Sequence, residues 1–250
     1  MAADYSTPRW RAAVVLVATL AVMAVTARLG VWQLDRGAQK RALQAQLDER
    51  SALGDLPEAA LATLPAEAEA QHARHVRVTG DWVPDSTRYL ENRQMHGQPG
   101  FFVVTALRLA GRADAVLVQR GWAPRDLMDR TRLPVVPTPA GPVVVRARVA
   151  PAPGRLYDFA GAAASGPIRQ NVDLDALSVE LGVPLRPLSL VQLDDSPAAR
   201  GDGLRRDWPA PAVDVGRHDG YAFQWFALCA VTALLYVWFQ LVRPRFARTA

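Results

Sequence analysis

Four histidines and one cysteine are the residues of this chain best suited to bind a metal or to act as nucleophile and base. His72 and His75 are three apart, which on a helix would put both on one face within reach of one ion. Yet His75 opens the alternating run His75-Val76-Arg77-Val78-Thr79-Gly80, and a strand turns residues three apart to opposite faces. A solvent-exposed pair is therefore expected there rather than a site. His96 lies in a turn beside Gly97 with no obvious partner. Cys229 sits alone inside an apolar run, so one chain can form no disulfide, CxxC pair or thiolate metal site. It reads as a small residue facing lipid or another helix. No G-x-S-x-G elbow, Walker loop or dinucleotide glycine fingerprint is present. Nothing in the chain proposes an enzyme, although a membrane-anchored enzyme with an unrecognised nucleophile stays open as an alternative.

His218 stands apart by its position, three residues before Tyr221–Val242, which are 22 residues without a charge. At about 1.5 Å per helical residue they extend roughly 33 Å, against a hydrocarbon core of about 30 Å. Tyr221 and Trp225 near one end, with Tyr236 and Trp238 near the other, are placed as interfacial aromatic belts are. Arg243-Pro244-Arg245 closes the run with cations and a helix breaker. An earlier run, Ala12–Ala27, has 16 uncharged residues, and Arg28-Leu29-Gly30-Val31-Trp32 extends it to 21. Its one charge, Arg28, lies near the end, where an arginine can snorkel. Val25-Thr26-Ala27 resembles a signal-peptide cleavage site, but the helical pattern continues through Gln33, which favours an uncleaved span.

The expected layout is a cytoplasmic tail (1–11), a transmembrane helix (12–32), a β-rich domain (33–220), a second transmembrane helix (221–242) and a cytoplasmic tail (243–250). A neutral imidazole at a membrane interface is available as an axial ligand to a haem iron, and nearby arginines can pair with propionates. Arg28, at the outer end of the first span, and Arg217 are the candidates for that pairing. The alternative is an interfacial histidine that hydrogen-bonds headgroups or caps its helix.

A net charge of +5, from 28 arginines, one lysine and 24 acidic residues, invites a nucleic-acid reading that position removes. Residues 33–220 hold 23 basic and 23 acidic groups and are neutral. The excess lies in and beside the apolar runs, where it bears on topology. Membrane lipid is the expected partner, and no nucleic acid. Arg9, Arg11, Arg243 and Arg245 flank the apolar ends and argue that both termini are cytoplasmic. A segment as long as 33–220 translocates largely regardless of its own charge.

Past the first span, Asp35–Arg50 reads as a separate helix, with Leu34, Ala38, Ala42, Leu43 and Leu47 recurring at three- and four-residue spacing. Gly54 and Pro57 end it, and a second short helix is expected over 56–64. Strand alternation then marks His75–Gly80, Phe101–Leu109, Ala115–Arg120, Val143–Val149 and Leu188–Leu193. Turns are expected at Gly97-Gln98-Pro99-Gly100 and Ala110-Gly111-Arg112, with a proline-rich stretch over Pro134–Pro142. Asp173 is placed to cap a short helix through Leu181, stopped by Gly182 and Pro184. Residues 196–216 read as a polar connector, and the one low-complexity tract is at 162–165. The fold class is thus a membrane protein of α+β type, two transmembrane helices flanking an antiparallel β-sheet or barrel domain with peripheral helices.

Five segments together resemble a known family. They are Arg28-Leu29-Gly30-Val31-Trp32-Gln33-Leu34-Asp35-Arg36 with Lys40, Val78-Thr79-Gly80-Asp81-Trp82, Gly97-Gln98-Pro99-Gly100-Phe101 through Leu107, Val116–Pro124, and Arg217-His218-Asp219-Gly220 through Phe226. In this order, with two spans, the chain resembles the Surfeit locus protein 1 (Shy-type) family. Gln119 stands where that family often has Asn, Asp219 where an apolar residue is common, and Pro134–Pro142 matches nothing in it. The resemblance implies assembly of haem-copper terminal oxidases (cytochrome c oxidase), with delivery of haem a to the largest subunit. It implies His218 as the haem ligand, and subunit I with other assembly or haem-synthesis proteins as partners. The few residues before the first span leave no room for a transit peptide, so a bacterial inner membrane with a periplasmic domain is expected. A structural or sensory module is the remaining alternative. Within Arg120-Gly121-Trp122 a packing role is expected, Gly121 permitting a bulge and Trp122 filling the core face.

Overall fold

One helix, α1 (Arg9–Ala52), runs through both the first apolar segment and the polar helix expected to follow it separately. No proline interrupts residues 9–52, and Gly30 and Gly37 cost a helix only about 1 kcal/mol each, so nothing separates the two. The computed structural model describes residues 9–129, 132–157, 166–208 and 215–246. The outer parts of the expected tails, the whole low-complexity tract at 162–165 and residues 209–214 of the connector lie outside them. Packing divides the chain into two units, Gln46–Ala210 and Met1–Ala45 with Pro211–Ala250. Residues 33–45 therefore go with the helices, where a domain beginning at residue 33 was expected.

In the helical unit α1 packs against α4 (Val215–Tyr236). Cys229 meets Met23, Phe226 meets Gly30, and His218 meets Gln33, so the two run antiparallel. The face of α1 toward α4 carries the buried Thr26, Gly30 and Gly37. The expected stripe of Leu34, Ala38, Ala42 and Leu43 is instead exposed. Trp10–Ala52 and Gly216–Arg245 are each long and apolar enough to cross a membrane. Their side chains Val17, Leu20, Phe223 and Leu234 are exposed. After α4 the helix widens to a π turn over Val237–Val242 and continues as α5 (Arg243–Phe246). Pro244 thus does not break the helix as expected. It lacks an N–H and crowds the carbonyl four residues back, and the wider winding before it relieves that clash.

The other unit takes the last turns of α1, then a short 3-10 turn (Glu58–Ala60) and α2 (Pro65–Gln71), where one helix over 56–64 was expected. Pro65 at the first position of α2 supplies the start signal. Seven strands follow: β1 (His75–Trp82), β2 (Arg88–Met95), β3 (Gln98–Leu109), β4 (Ala115–Pro124), β5 (Pro142–Ala150), β6 (Ile168–Arg169) and β7 (Leu185–Gln192). Their order is β1-β5-β7-β4-β3-β2-β6, and an extra β1–β3 pairing joins β1, β5, β7, β4 and β3 into a ring. Gly80 makes that closure possible, since a Cβ there would lie 2.0 Å from the Arg108 carbonyl oxygen. The sheet is mixed rather than antiparallel, because β4 pairs with β7 and β2 with β6 in parallel. The long β4–β7 connection, carrying β5 and α3 (Leu174–Leu181), is the crossover a parallel pair requires.

Alternation fills the ring: Val76, Val78, Leu107, Leu109, Val116, Val118, Val145, Ala147, Val149, Leu188 and Leu190 form one apolar cluster. Leu177 of α3 packs outside it with Leu90, Val104 and Leu117. Asp173 caps α3 by accepting from the Asp175 and Ala176 amides, and Gly182 ends it at φ 63°, as the sequence leads one to expect. The turn expected across Gly97–Gly100 is tighter. His96 and Gly97, at φ 50° and 75°, form a two-residue loop pairing Met95 with Gln98, and residues 98–100 already belong to β3.

Candidate functional site

His218 lies in the first turns of α4, half-buried against α1. Its Nδ1 is 2.7 Å from the Gln33 Oε1. An amide oxygen only accepts, so the hydrogen of the neutral ring lies on Nδ1, which donates, and Nε2 keeps its lone pair. One turn along α1, Gly37 is buried beneath the histidine, and a Cβ on it would stand 3.5 Å from the His218 Cβ. A turn further, Arg41 Nη1 lies 3.3 Å from both Asp219 carboxylate oxygens. Asp219, the departure from the family pattern, thus has a partner on the facing helix. An acidic residue in the first turns also suits the positive end of the α4 dipole.

The other expected members of the site separate. Arg217 precedes His218 on α4 and is exposed. Arg28 is exposed on α1, two residues from the Gly30 that touches Phe226. At roughly 100° per residue, that step carries Arg28 about 200° around the helix, to the side away from α4. The expectation that it lies opposite His218 is therefore corrected: α1 offers Gln33 and Gly37 to the histidine, and Arg28 points elsewhere. Gln33 is the member that residue-type reasoning passed over.

The remaining histidines are scattered through the other unit. His72 follows α2, where burial pulls its pKa below the ordinary value, and His75 opens β1. His96, expected to lack a partner, has its Nε2 3.2 Å from an Asp207 carboxylate oxygen, both groups exposed. Among the described residues no cluster of three or more His, Cys, Asp or Glu could hold a metal ion.

In the barrel unit the strongest electrostatics are structural. Val103 pairs with Gly121 and Val104 with Gln119, so Arg120 is the extra residue of a β-bulge. Its buried guanidinium donates to the Pro137 carbonyl at 2.7 Å and the Thr138 hydroxyl at 3.0 Å, and stacks on Trp82 at 4.7 Å. The proline-rich stretch is thereby pinned across the bulge. A cavity of about 500 Å³ beside it is lined by Pro137, Thr138, Val143, Pro197, Arg200 and Asp202 among others. Trp122 is wholly buried and donates Nε1–H to the Arg93 carbonyl at 2.9 Å. A Cβ on Gly121 would come within 2.6 Å of the Leu204 Cβ. The Arg120-Gly121-Trp122 block is a packing device.

Such an architecture defines a class: a small mixed β-barrel unit, preceded and followed along the chain by two long apolar helices that meet through an imidazole–amide bond. The SURF1 family matches residues 20–230, most of the chain, and the chain belongs to it. A SURF1-like protein of Monosiga brevicollis is 34% identical over 117 residues, 43% of this chain and 44% of that protein. The chain thus covers less than half the length of that curated relative.

Proposed function

We propose that this protein is an assembly factor for a haem-copper terminal oxidase, holding haem a and passing it to the largest oxidase subunit. The SURF1 family is associated with cytochrome c oxidase assembly. The observation that carries the haem step is the 2.7 Å bond between His218 and Gln33, which leaves Nε2 with a free lone pair. That donor suits one axial position on iron, and ligating histidines ordinarily donate their other ring nitrogen in this way. Arg217, the neighbouring exposed cation, is assigned to a propionate, where a charge-assisted bond orients the cargo. Arg28, on the far side of α1, is left out.

In this reading the protein binds and orients rather than catalyses. The two apolar helices cross a bacterial inner membrane with both termini cytoplasmic and the barrel unit periplasmic. Its partners are oxidase subunit I and the proteins that make haem or assist assembly. Loss of the protein lowers oxidase activity and oxidase haem content while other respiratory complexes persist. Co-expression with haem a synthesis, followed by the absorption spectrum of the purified protein, tests the cargo. His218→Ala abolishes or shifts the Soret band; a full haem load with an unchanged spectrum sinks the assignment. Tag accessibility that places residues 46–210 in the cytosol would overturn the topology.

A further inference from the structure

Resting on the reading of His218 as a ligand, we propose that Gln33 is its positioning residue: the amide selects the tautomer, aims Nε2 and sets how strongly the imidazole donates. Three observations on α1 bear on one side chain. Gln33 Oε1 accepts from Nδ1 at 2.7 Å, which excludes the tautomer that would leave Nδ1 as the ligand. Gly37, one turn away, is buried against the His218 Cβ, near enough that a Cβ on it would stand in ordinary contact at 3.5 Å. Gln33 is itself half-buried on the face of α1 toward α4. The side chain thus meets α1 at its Cβ and at Nδ1, while Nε2 is left for a ligand.

The identity of the acceptor matters as much as its place. A carboxylate at this position would draw the Nδ1 proton strongly and make the ring a more basic donor. A neutral amide draws it less, so the imidazole orients without gaining full anionic character. For a factor that must release its cargo, the weaker donor suits transient holding. Loss of such an outer hydrogen bond typically costs 10–100-fold in affinity.

The test uses the full chain in detergent, titrated with hemin, with the Soret band, dissociation constant and iron midpoint potential as readouts. Gln33→Leu weakens hemin binding about 10–100-fold. Gln33→Glu retains binding and lowers the midpoint potential, since a more basic ligand favours ferric iron. Phe226→Ala loosens the same helix pair away from the ring and leaves hemin affinity close to that of the unaltered protein. If both Gln33 variants match the unaltered protein while His218→Ala loses ligation, the positioning role is wrong and the ligand reading survives. If Gln33→Leu and Gln33→Glu lose affinity equally, or Phe226→Ala loses as much, the contact only staples the helices, and the proposal falls. If His218→Ala leaves the spectrum unchanged, the ligand reading fails and takes this inference with it.

Discussion

In the barrel unit Arg120, Arg186 and Arg206 are almost wholly buried, whereas in the helical unit Arg28, Arg41 and Arg217 all stay exposed. The barrel can hold guanidinium groups out of water because each is tied into the fold. Arg186 donates to Asp114 at 2.8 Å and to the Leu61 carbonyl, Arg206 pairs with Asp202, and Arg120 holds the proline-rich stretch. An apolar core then offsets their desolvation. The helix pair has little apolar interior. Its contacts are a glycine under a phenylalanine, a thiol on a carbonyl, and polar pairs gathered toward one end. Small residues and single hydrogen bonds are what fix helices where lipid removes the hydrophobic drive. Polar groups in the first unit thus serve stability, while those in the second fix the register of two helices.

The sharpest way to break that contrast is to remove a buried cation from the barrel. Arg186→Leu leaves the Leu61 carbonyl without its donor and Asp114 with Arg112 alone, and is expected to cost about 1.5–3 kcal/mol, read from urea unfolding followed by tryptophan fluorescence. Full stability in this variant would mean that the arginines are not part of the fold's support.

The helix pair answers to shape. Gly30→Val would set a Cβ 2.7 Å from the Phe226 ring, and overpacking of this kind costs about 1–3 kcal/mol. Crosslinking between Met23→Cys and the native Cys229 should fall, and Phe226→Ala should restore it. The unfolding midpoint of the barrel should not move. A shift there would show that the two units are not independent.

The barrel was largely legible because β-branched residues alternate along β1, β3, β4, β5 and β7, and because Asp173 and Gly182 punctuate α3. β2 was missed because Arg88-Tyr89-Leu90-Glu91-Asn92-Arg93 sets charged and polar residues around a single apolar pair, without alternation. Arg88 and Arg93 are nonetheless buried, and Asn92 sits at φ 59° where the register shifts. A strand whose arginines take buried positions beside apolar ones has no alternation to read. β6 has two residues, too few for any pattern. Ring closure and the parallel β4–β7 pairing depend on which edges meet, and Gly80 announces that only once Arg108 is beside it. At the site His218 was legible from its place before an apolar run. Gln33 carried no signal, since an amide becomes a partner only when a residue 185 positions away is brought to it. Arg28 misled for the mirror reason: its position along α1 was sound, but the sequence does not say which face of α1 meets α4.

Acid titration separates the units on a smaller scale. Hydrogen bonds from Arg169 and Arg88 hold the Glu180 carboxyl below its usual pKa, against the opposing effect of burial. Burial raises the Asp114 pKa, but bonds from Arg112 and Arg186 outweigh it and the net shift is also downward. A depressed carboxylate adds stability that is complete above the unfolded pKa, about 4, and fades as pH falls through the folded value. Barrel stability should therefore decline below about pH 4, and Glu180→Gln should flatten that decline. A pH profile unchanged by Glu180→Gln would remove the carboxylate from the account.

The smallest effect is expected where the contrast is most exposed. The Arg41 and Asp219 side chains retain 49% and 52% of their accessibility, so their 3.3 Å pair is screened by water and salt. Arg41→Ala should cost at most about 1 kcal/mol of helix pairing, and less as ionic strength rises. The Met23→Cys to Cys229 crosslink, measured at low and high salt, reads this directly. A loss as large as that of Gly30→Val would mean that the pair is shielded from water. Charge would then govern the helical unit as it does the barrel, and the distinction between the two would disappear.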